Sequence, residues 1–422
     1  MTADRQLSSK TLSLRSNDKR VPKERGRGCI SSWIAATGGL EMPAAKSLGD
    51  LLRIRNENRQ YLDSIKGNLG SALGFKKRTG YAVSDEPAVL IFVRRKIDSK
   101  WLPEDQVIKP ALKGPDNLTC PLDVVEGNRQ DMLVEVVDEV TKEEFPFPWS
   151  ALQGPAPLSA EQLRLREKLL GWSKKIMPGA QIGGKDSKNR EFTGALGFFA
   201  KRDHTLGFVT NQHVADKVKS VLYFPWFGAR ACGVVKQTVD TIPASNRFDG
   251  LITDENAFYK VDCAFVALHD DEIRNDIDVR LPLIGRSGDL SMKQIGKPID
   301  LDLNSMCVLG QKVMSIGPKR SLQRGTIYGF AYEYKEEDSK RYYTDYLIVG
   351  DNDKEFSWGG DSGKLIFTDD VELRPIALLW GGRTEQIRPE HGQEKWAYAI
   401  DINLVLHSLH VDFASQDDVR ES

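Results

Sequence analysis

Cysteine is scarce in this chain of 422 residues, which contains only five. They are scattered and no two of them form a Cys-x-x-Cys pair, so the sequence indicates neither a zinc knuckle nor a disulfide framework. The odd number fits a reducing intracellular compartment, where structural disulfides are rare. A fold of this chain must therefore hold together without disulfide bonds.

Long hydrophobic runs and an excess of one charge are also missing. No stretch approaches the roughly 18 consecutive apolar residues of a membrane span, and residues 1–10 lack the apolar core of a secretory signal. We therefore expect a protein that is not secreted. The 59 Lys and Arg balance 60 Asp and Glu to a net charge of −1, which argues against a chain that binds polyanions over its whole surface. Neither a membrane nor nucleic acid is an expected partner.

The first 43 residues differ from the rest. The first 30 hold eight Lys or Arg and three Asp or Glu, with many Ser and Gly and little apolar periodicity. This composition favours a disordered basic tail over residues 1–43. A solvated flexible arm is the simplest interpretation of its basic cluster, and a nuclear address or a nucleic-acid contact is the alternative. The cluster consists of Lys19, Arg20, Lys23, Arg25 and Arg27.

Residues 44–143 are predicted to form a small α/β domain. Apolar residues from Leu48 to Ile65 recur at helical spacing, and Gly67 marks a stop. The apolar run Ala88–Val93 has the length and β-branching of a buried strand, and a second strand is expected at 122–125. This region contains no recognisable pairing of a nucleophile with a base.

A proline-rich break follows. Four prolines lie between 146 and 157, and such a cluster marks a linker. Ser159 with Gln162 forms a capping box, which predicts a helix that ends by Pro178. We assign residues 144–177 to this linker and helix.

From Ala180 onward, short apolar stretches alternate with turns that carry Gly, Asp and Asn. Many short strands punctuated in this way indicate an all-β barrel or sandwich, which we place at residues 178–410, followed by a C-terminal tail at 411–422. The stretches interpreted as strands include Gly194–Ala200, Leu206–Thr210, Ser220–Phe224, Ala264–Leu268, Leu347–Val349, Lys364–Phe367 and Ile376–Trp380.

Three segments of this half carry the residue types of nucleophilic acyl transfer: GFVTNQHVA at 207–215, VDCAFVAL at 261–268 and GGDSGK at 359–364. A serine hydroxyl such as that of Ser362 needs an imidazole to accept its proton during attack. The imidazole, here that of His213, needs a carboxylate such as Asp262 to fix its tautomer and stabilise its cation. Backbone N–H donors aimed at the oxyanion contribute about 3–4 kcal/mol each, and glycines allow the tight turn that aims them.

The strings TNQHVA, DCAFVAL and GGDSG, in the order His, Asp, Ser, resemble the trypsin/chymotrypsin-type serine peptidases. The resemblance implies a double β-barrel over 178–410, and an α+β chain once the preceding domain is included. It implies that His213 is the general base, Asp262 its orienting partner and Ser362 the nucleophile, with the N–H groups of Gly360 and Ser362 as the oxyanion hole. No metal or organic cofactor is implied.

The same resemblance assigns Asp361 to the carboxylate that lies buried beside the nucleophile turn. In secreted members an amine freed by activation pairs with this carboxylate. No cleavage site is evident here, so we expect a pre-formed site. Lys364 stands where the family often has Gly, which places a cation near the site.

Two more stretches support the resemblance. VMSIGPKRSLQRGTIYGF at 313–330 resembles the segment before the nucleophile in HtrA-like intracellular members, and IALLWGG at 376–382 resembles the strand after it. Trp380 and Gly381 would line the primary pocket, where an extended substrate pairs as an added strand. The pocket floor, six residues before the nucleophile, would be Phe356, with Trp358 close by. No carboxylate stands there, so we expect a preference for apolar or small side chains over basic ones.

The N-terminal half is similar to the domain that precedes the peptidase in the plant narrow-leaf protein family and its microbial relatives. The similarity lies in EPAVLIFVRRKI at 86–97, in Trp101–Leu102–Pro103 and in TCPLDVVEG at 119–127. It implies an ATP-independent intracellular protease that acts on proteins and assembles as a homo-oligomer.

Simpler interpretations stay open for each residue. His213 is alternatively a structural histidine, Ser362 an ordinary turn residue, and Asp249 or Asp254 the orienting carboxylate instead of Asp262. We expect an intracellular serine endopeptidase, cytoplasmic or, through the basic tail, nuclear. The main alternative is a catalytically silent peptidase fold that binds a partner protein, and a nucleic-acid-associated regulator is a third candidate.

Overall fold

Strands dominate the computed structural model of this chain. The structure describes residues 43–78, 82–127, 131–132, 135–136, 160–167, 175–186, 188–269, 272–284, 290–335, 340–351, 355–382 and 396–421. Apart from residue 43, the predicted basic tail lies outside these residues, and so do Ser159 and the four prolines of the predicted linker. The domain boundaries proposed above stay predictions.

Six α-helices occur among the described residues: α1 (Leu48–Glu57), α2 (Arg59–Ser64), α3 (Ala160–Glu167), α4 (Gln212–Ala215), α5 (Ile402–Leu409) and α6 (Gln416–Glu421). The longest, α1, has 10 residues. Within the described part of the chain, therefore, no helix has the length and apolar character needed to cross a bilayer.

The strands of the first half of the described chain are β1 (Asn68–Arg78), β2 (Ala82–Val93), β3 (Ala111–Lys113), β4 (Thr119–Glu126), β5 (Asp131–Met132), β6 (Glu135–Val136), β7 (Gln181–Lys185), β8 (Glu191–Ala195), β9 (Phe198–Arg202), β10 (Thr205–Thr210) and β11 (Val221–Phe224). Those of the second half are β12 (Arg230–Pro243), β13 (Ala257–Leu268), β14 (Leu281–Ile284), β15 (Leu290–Lys293), β16 (Lys312–Gly317), β17 (Ser321–Lys335), β18 (Arg341–Gly350), β19 (Leu365–Thr368), β20 (Pro375–Gly382), β21 (Trp396–Asp401) and β22 (Asp412–Phe413).

Strands β7 to β13 close into a first barrel. β7 pairs with β8, β9 with β10, β10 with β13, β13 with β12, β12 with β11, and β11 returns to β7, all antiparallel. β8 and β9 follow each other along the chain and form one side of the barrel. Every strand contributes apolar side chains to one buried cluster, including Ile182, Phe192, Phe199, Phe208, Leu222, Val235 and Val266.

Strands β16 to β21 close into a second barrel by the same logic. β16 pairs with β17, β17 with β18, β18 with β21, β21 with β20, β20 with β19, and β19 returns to β16, again all antiparallel. The sequence-based prediction of a double β-barrel is therefore confirmed. A short parallel pairing of β13 with β18 at 257–259 joins the two barrels.

The N-terminal region is a small α/β layer, as the sequence predicted. β1 pairs antiparallel with β2, β2 runs parallel to β4, and β3 pairs with β4. β1 also pairs with β17, with Leu73 opposite Phe330, so this sheet continues into the second barrel. Apolar residues of α1 and of the second barrel belong to one core cluster, which includes Leu48 and Leu51 together with Ile327 and Ile348.

The single helix expected from Leu48 to Ile65 is divided at Asn58. Ser47 caps α1 and forms a capping box with Asp50. The Asn58 amide donates to the carbonyl of Ile54 at 2.8 Å and to that of Lys113 at 2.6 Å. An asparagine side chain that bonds backbone in this way competes with the helix, so α1 ends there and α2 starts as a separate helix.

The stretch Gly194–Ala200, expected as one strand, is likewise divided, because β8 ends at Ala195 and β9 starts at Phe198. A Cβ on Gly197, in the gap, would lie 2.5 Å from the carbonyl oxygen of Gly363. The break therefore admits the turn that carries Ser362 against the first barrel.

The segment 411–422, expected as a tail, is folded over its described residues. β22 pairs with β9, with Phe413 opposite Ala200, and α6 follows. Lys201 Nζ lies 2.7 Å from Asp418 Oδ1. This segment therefore packs onto the first barrel.

A buried ionic cluster joins α1 and α2 to the second barrel. Glu333 of β17 is about 3% exposed and forms ion pairs with Arg55 at 3.9 Å, Arg59 at 3.7 Å and Arg341 at 3.6 Å. It also accepts the Ser71 hydroxyl at 2.8 Å. Burial raises the pKa of Glu333, but the three guanidinium groups lower it by more, to about 2.

We expect this cluster to make the protein acid-labile. A carboxyl whose pKa falls from 4.5 in the unfolded chain to about 2 in the fold stabilises the fold fully above pH 4.5. That contribution, on the order of 3 kcal/mol, is lost as the pH falls through the folded value. Urea denaturation between pH 5 and pH 2.5 measures the loss. In Glu333→Gln the free energy of unfolding should fall less steeply over this window, and an equal slope would contradict the assignment.

Candidate active site

His213 stands where a strand of the first barrel ends. β10 pairs with β13 up to Thr210 opposite Ala264, and the single turn α4 starts directly after Asn211. The buried Asn211 side chain donates from Nδ2 to the carbonyl of Asp262 at 2.8 Å. The start of α4 is thereby fixed to β13.

Asp262 reaches His213 because β13 bulges at this residue. Against β12, Val239 lies opposite Cys263 and Thr241 opposite Lys260, so two residues of β13 face one of β12. Asp262 takes a left-handed backbone conformation with φ +41°. A β-bulge locally re-aims a side chain and is common beside active sites. The local irregularity therefore turns the Asp262 carboxylate toward α4.

The contact between Asp262 and His213 is direct and buried. Asp262 Oδ2 lies 2.5 Å from His213 Nδ1, and Oδ1 accepts the backbone N–H of His213 at 3.0 Å. Burial raises the pKa of the Asp262 carboxyl, but the charge of the His213 ring and its hydrogen bonds lower the pKa by more, leaving it below its ordinary value. An ionised carboxylate at Nδ1 favours the ring tautomer that carries its proton there, which leaves the lone pair of Nε2 free to accept a proton.

Of the two alternative carboxylates, Asp254 is engaged elsewhere. It lies 3.5 Å from both Arg59 and Arg341 in the ionic cluster. The Asp249 side chain lies outside the described part of the structure. Asp262 is therefore the carboxylate that the fold places on His213.

Ser362 lies in a turn between two glycines with left-handed backbone, Gly360 at φ +84° and Gly363 at φ +95°. The Ser362 carbonyl accepts the N–H of Ala195 at 2.8 Å. A Cβ on Gly363 would lie 2.4 Å from both Ala195 O and Thr210 Oγ1. Only a glycine permits this approach, so the turn is seated against the strand end from which His213 projects.

The hydrogen bond between Ser362 and His213 is not formed in this structure. Ser362 Oγ instead donates to the carbonyl of Trp380 at 3.4 Å. His213 Nε2 is buried and has no hydrogen-bond partner among the described residues. Catalytic hydrogen bonds are often long or misaligned without substrate, and another staggered χ1 position redirects a serine hydroxyl.

A buried ion pair braces the same turn. Lys364 Nζ lies 3.1 Å from Asp361 Oδ2 and donates to the carbonyl of Phe356 at 2.8 Å. The same carboxylate oxygen accepts the N–H of Trp358 at 3.1 Å. Burial lowers the pKa of Lys364, and Asp361 offsets only part of that effect. The cation expected near the site is thus directed into the turn, at the carboxylate beside Ser362.

The residues predicted to bind substrate differ in exposure. Phe356 and Trp380 are buried; the ring of Phe356 packs against β17 at Gly325, and Trp380 Nε1 donates to Thr344 Oγ1 at 2.9 Å. Trp358 is partly exposed, and the Arg320 guanidinium lies 4.3 Å from its ring centre.

Sequence reasoning missed three contacts near this turn. Asn211 lies within the motif TNQHVA, but its bond to the Asp262 backbone is not readable from the string. The sequence analysis predicts Lys364 only as a cation near the site, although its i,i+3 spacing from Asp361 is a signal for the ion pair. Arg320 carries no sequence signal. Among the described residues, no group of three or more His, Cys, Asp or Glu side chains is arranged to hold a metal ion.

Comparison with protein families gives two matches. The family model described as the Nal1 C-terminal domain matches residues 160–418, and the model described as the NARROW LEAF 1 N-terminal domain matches residues 43–125. Protein NARROW LEAF 1 of Oryza sativa subsp. japonica is 30% identical over 394 residues, which cover 87% of this chain and 60% of that protein. The chain therefore spans about 60% of the length of this curated relative.

Among solved structures, similar ones are serine proteases. The Nocardiopsis protease NAPase has a TM-score of 0.36 at 17% identity, over 57% of this chain and 100% of its own. A glutamic acid-specific serine protease has a TM-score of 0.38 at 16% identity, over 57% and 100%. Deg5 has a TM-score of 0.27 at 15% identity, over 60% and 95%.

Proposed function

The chain belongs to the NARROW LEAF 1 family, and from this premise and the geometry around His213 we propose that it is a serine endopeptidase. Its substrates are polypeptides, its triad is Ser362, His213 and Asp262, and it works inside the cell. The observation that carries the proposal is the environment of the buried His213 ring. Its Nδ1 contacts the Asp262 carboxylate, whereas its Nε2 has no hydrogen-bond partner among the described residues.

A purely structural histidine does not explain this arrangement. A buried polar atom without a hydrogen bond costs about 1–3 kcal/mol, and native structures keep few of them. His213 Nε2 is such an atom, and it belongs to a ring next to the turn that carries Ser362. A role as the general base, in which Nε2 accepts the proton of the Ser362 hydroxyl, explains why this nitrogen is left without a hydrogen bond.

The reaction follows from these groups. Ser362 Oγ attacks the peptide carbonyl carbon while His213 Nε2 takes the hydroxyl proton. The carbonyl oxygen becomes an oxyanion that the N–H groups of Gly360 and Ser362 stabilise. The C–N bond then breaks, His213 gives its proton to the leaving amine, and an acyl ester remains on Ser362. Water, deprotonated by the same nitrogen, attacks the ester and releases the carboxylic acid and the free hydroxyl.

The substrate preference follows from the lining residues proposed for the pocket. Phe356, Trp358, Trp380 and Gly381 carry no negative charge that would pair with Lys or Arg. Apolar or small side chains are therefore the proposed class.

A second candidate function, a peptidase fold that binds a partner without hydrolysis, is favoured by one observation. The Ser362 hydroxyl is bonded to Trp380 O and not to His213. In this alternative the triad residues are structural, and the edges around them hold a partner segment.

Labelling with a fluorophosphonate probe separates the two functions. We expect the wild type to be labelled on one serine and Ser362→Ala to show no labelling, because phosphonylation requires an activated hydroxyl. Gel fluorescence and mass spectrometry measure the label. Ser291→Ala, in the separate β14–β15 hairpin, is the matched control and should label like the wild type. Labelling that survives Ser362→Ala would remove the assigned nucleophile.

A further inference from the structure

Two short strands from the N-terminal side of the chain, β5 and β6, pair with strands of both barrels. β5 pairs antiparallel with β20, with Asp131 opposite Gly382 and Met132 opposite Gly381. β6 pairs antiparallel with β8, with Glu135 opposite Thr193. β5 and β6 thus each lie on an edge of one barrel.

Both edges adjoin the candidate nucleophile. On the second barrel, Gly381 follows Trp380, whose carbonyl accepts the Ser362 hydroxyl at 3.4 Å. On the first barrel, Thr193 lies two residues before Ala195, whose N–H donates to the Ser362 carbonyl at 2.8 Å. Ser362 therefore lies between the edge that β5 occupies and the edge that β6 occupies.

Chain connectivity shows that these edges are close. Met132 and Glu135 are three residues apart, and consecutive Cα atoms are 3.8 Å apart, so their Cα atoms lie at most about 11 Å from each other. A single extended peptide can therefore engage both edges. It runs in one direction, with its N-terminal part on β20 and its C-terminal part on β8.

An endopeptidase needs such a pair of edges. A polypeptide substrate binds in extended form by adding a strand to an open sheet edge, and its main-chain hydrogen bonds supply affinity whatever its sequence. Here the edge residues of β20 are Gly381 and Gly382, which present backbone without side chains. In this structure the places of an incoming strand are taken by the chain itself.

We propose that β5 and β6 are the two docked parts of an internal segment that competes with polypeptide substrates, bound to β20 and to β8 on either side of Ser362. This inference rests on the proposed function and extends it. A substrate must displace the segment, and it then binds with the same chain direction, its N-terminal part on β20 and its C-terminal part on β8. A tethered competitor acts at an effective concentration of the order of millimolar for short flexible linkers. External peptides therefore bind more weakly to the intact chain than to one whose segment is released.

The test measures binding without catalysis, so that it does not depend on turnover. In a Ser362→Ala background, Met132→Pro and Glu135→Pro are combined, because proline lacks the N–H that strand pairing uses. The probe is a fluorescein-labelled peptide with the sequence of residues 129–138, RQDMLVEVVD, and fluorescence anisotropy gives its Kd. We expect the Kd to fall about tenfold or more in the proline variant.

The matched control combines Met132→Ala and Glu135→Ala, which shortens the same side chains and keeps both N–H groups. Its Kd should stay that of the Ser362→Ala parent. Equal Kd in the proline variant and the parent, or an equal fall in the alanine control, would overturn the proposal. Hydrogen exchange at Gly381 and Gly382 provides a second measurement. Both residues also pair with β21, and adjacent N–H groups of a strand face opposite neighbours, so only the amide that faces β5 reports on the segment. That amide should be protected in the wild type, exchange faster in the proline variant and regain protection with the peptide; equal exchange at both amides in the wild type and the proline variant would also overturn the proposal.

Failure of the two proposals is distinguishable. If Ser362 is not a nucleophile, fluorophosphonate labelling is absent from the wild type and from a Met132→Pro, Glu135→Pro variant that keeps Ser362, while the change in Kd persists in the Ser362→Ala background. If the segment is not a competitor, labelling depends on Ser362 while Kd is the same in all variants.

Discussion

We expect Asp262→Asn to lower the proposed kcat for peptide hydrolysis about 10⁴-fold, the loss that follows when a triad imidazole is held in the wrong tautomer. The geometry dictates that outcome here. Oδ1 of Asp262 accepts the backbone N–H of His213, and an asparagine at this position keeps that bond with its carbonyl oxygen. Its NH₂ group then faces Nδ1, which must become an acceptor, so the ring proton moves to Nε2 and the base loses its lone pair.

Steady-state kinetics with a fluorogenic peptide measure this loss. Asp254→Asn is the matched control, because Asp254 contacts Arg59 and Arg341 rather than His213. We expect its kcat to equal that of the wild type at a temperature where both are folded. A small effect of Asp262→Asn, or an equally large effect of Asp254→Asn, would mean that Asp262 does not orient the base.

Lys364→Met destabilises the fold by about 3–5 kcal/mol, the cost of leaving a buried charge without its partner. Asp361 is buried and its Oδ1 already has no hydrogen-bond partner among the described residues. Without Lys364, the Trp358 N–H is the partner that Oδ2 retains from this turn. The turn that presents Gly360 and Ser362 loses its brace, so we also expect the rate of fluorophosphonate labelling to fall.

Urea denaturation and labelling kinetics check both parts. The double variant Asp361→Asn, Lys364→Met removes both charges and should recover most of the lost free energy of unfolding, because replacing a buried pair by neutral groups is often close to neutral. Lys312→Met is the surface control. Lys312 is 58% exposed and pairs with Asp351, and such surface pairs contribute about 0–1 kcal/mol. Equal losses in Lys364→Met and Lys312→Met would show that the buried pair does not brace the turn.

Local patterns were sufficient to predict the barrels and the three motifs. Strands such as β10 and β13 combine short apolar runs with turn residues, and the sequence placed both of them. His213 and Asp262 were recognised because each stands at the end or inside a buried strand with a motif around it. The pairing of β10 with β13 then brings the two residues together, as the motif order implied.

Contacts between segments that are distant along the chain could not be predicted from the sequence. The bulge at Asp262 depends on the register of β13 against β12. A one-residue offset between two strands cannot be recognised from the sequence of either strand alone. The division of the strand at Gly197 reflects the approach of Gly363, more than 160 positions away along the chain. β5 and β6 are two residues each, too short to produce a periodic signal.

The pairing of β1 with β17 has a consequence for how this polypeptide can be divided. In a fragment that starts at residue 178, the backbone of β17 from Phe330 to Glu333 would become an unpaired strand edge. The Glu333 carboxylate would also lose two of its guanidinium partners, Arg55 and Arg59. Unpaired strand edges recruit neighbouring molecules into aggregates. We therefore expect the two barrels and the N-terminal layer to fold as one unit, and the barrels expressed alone to be insoluble.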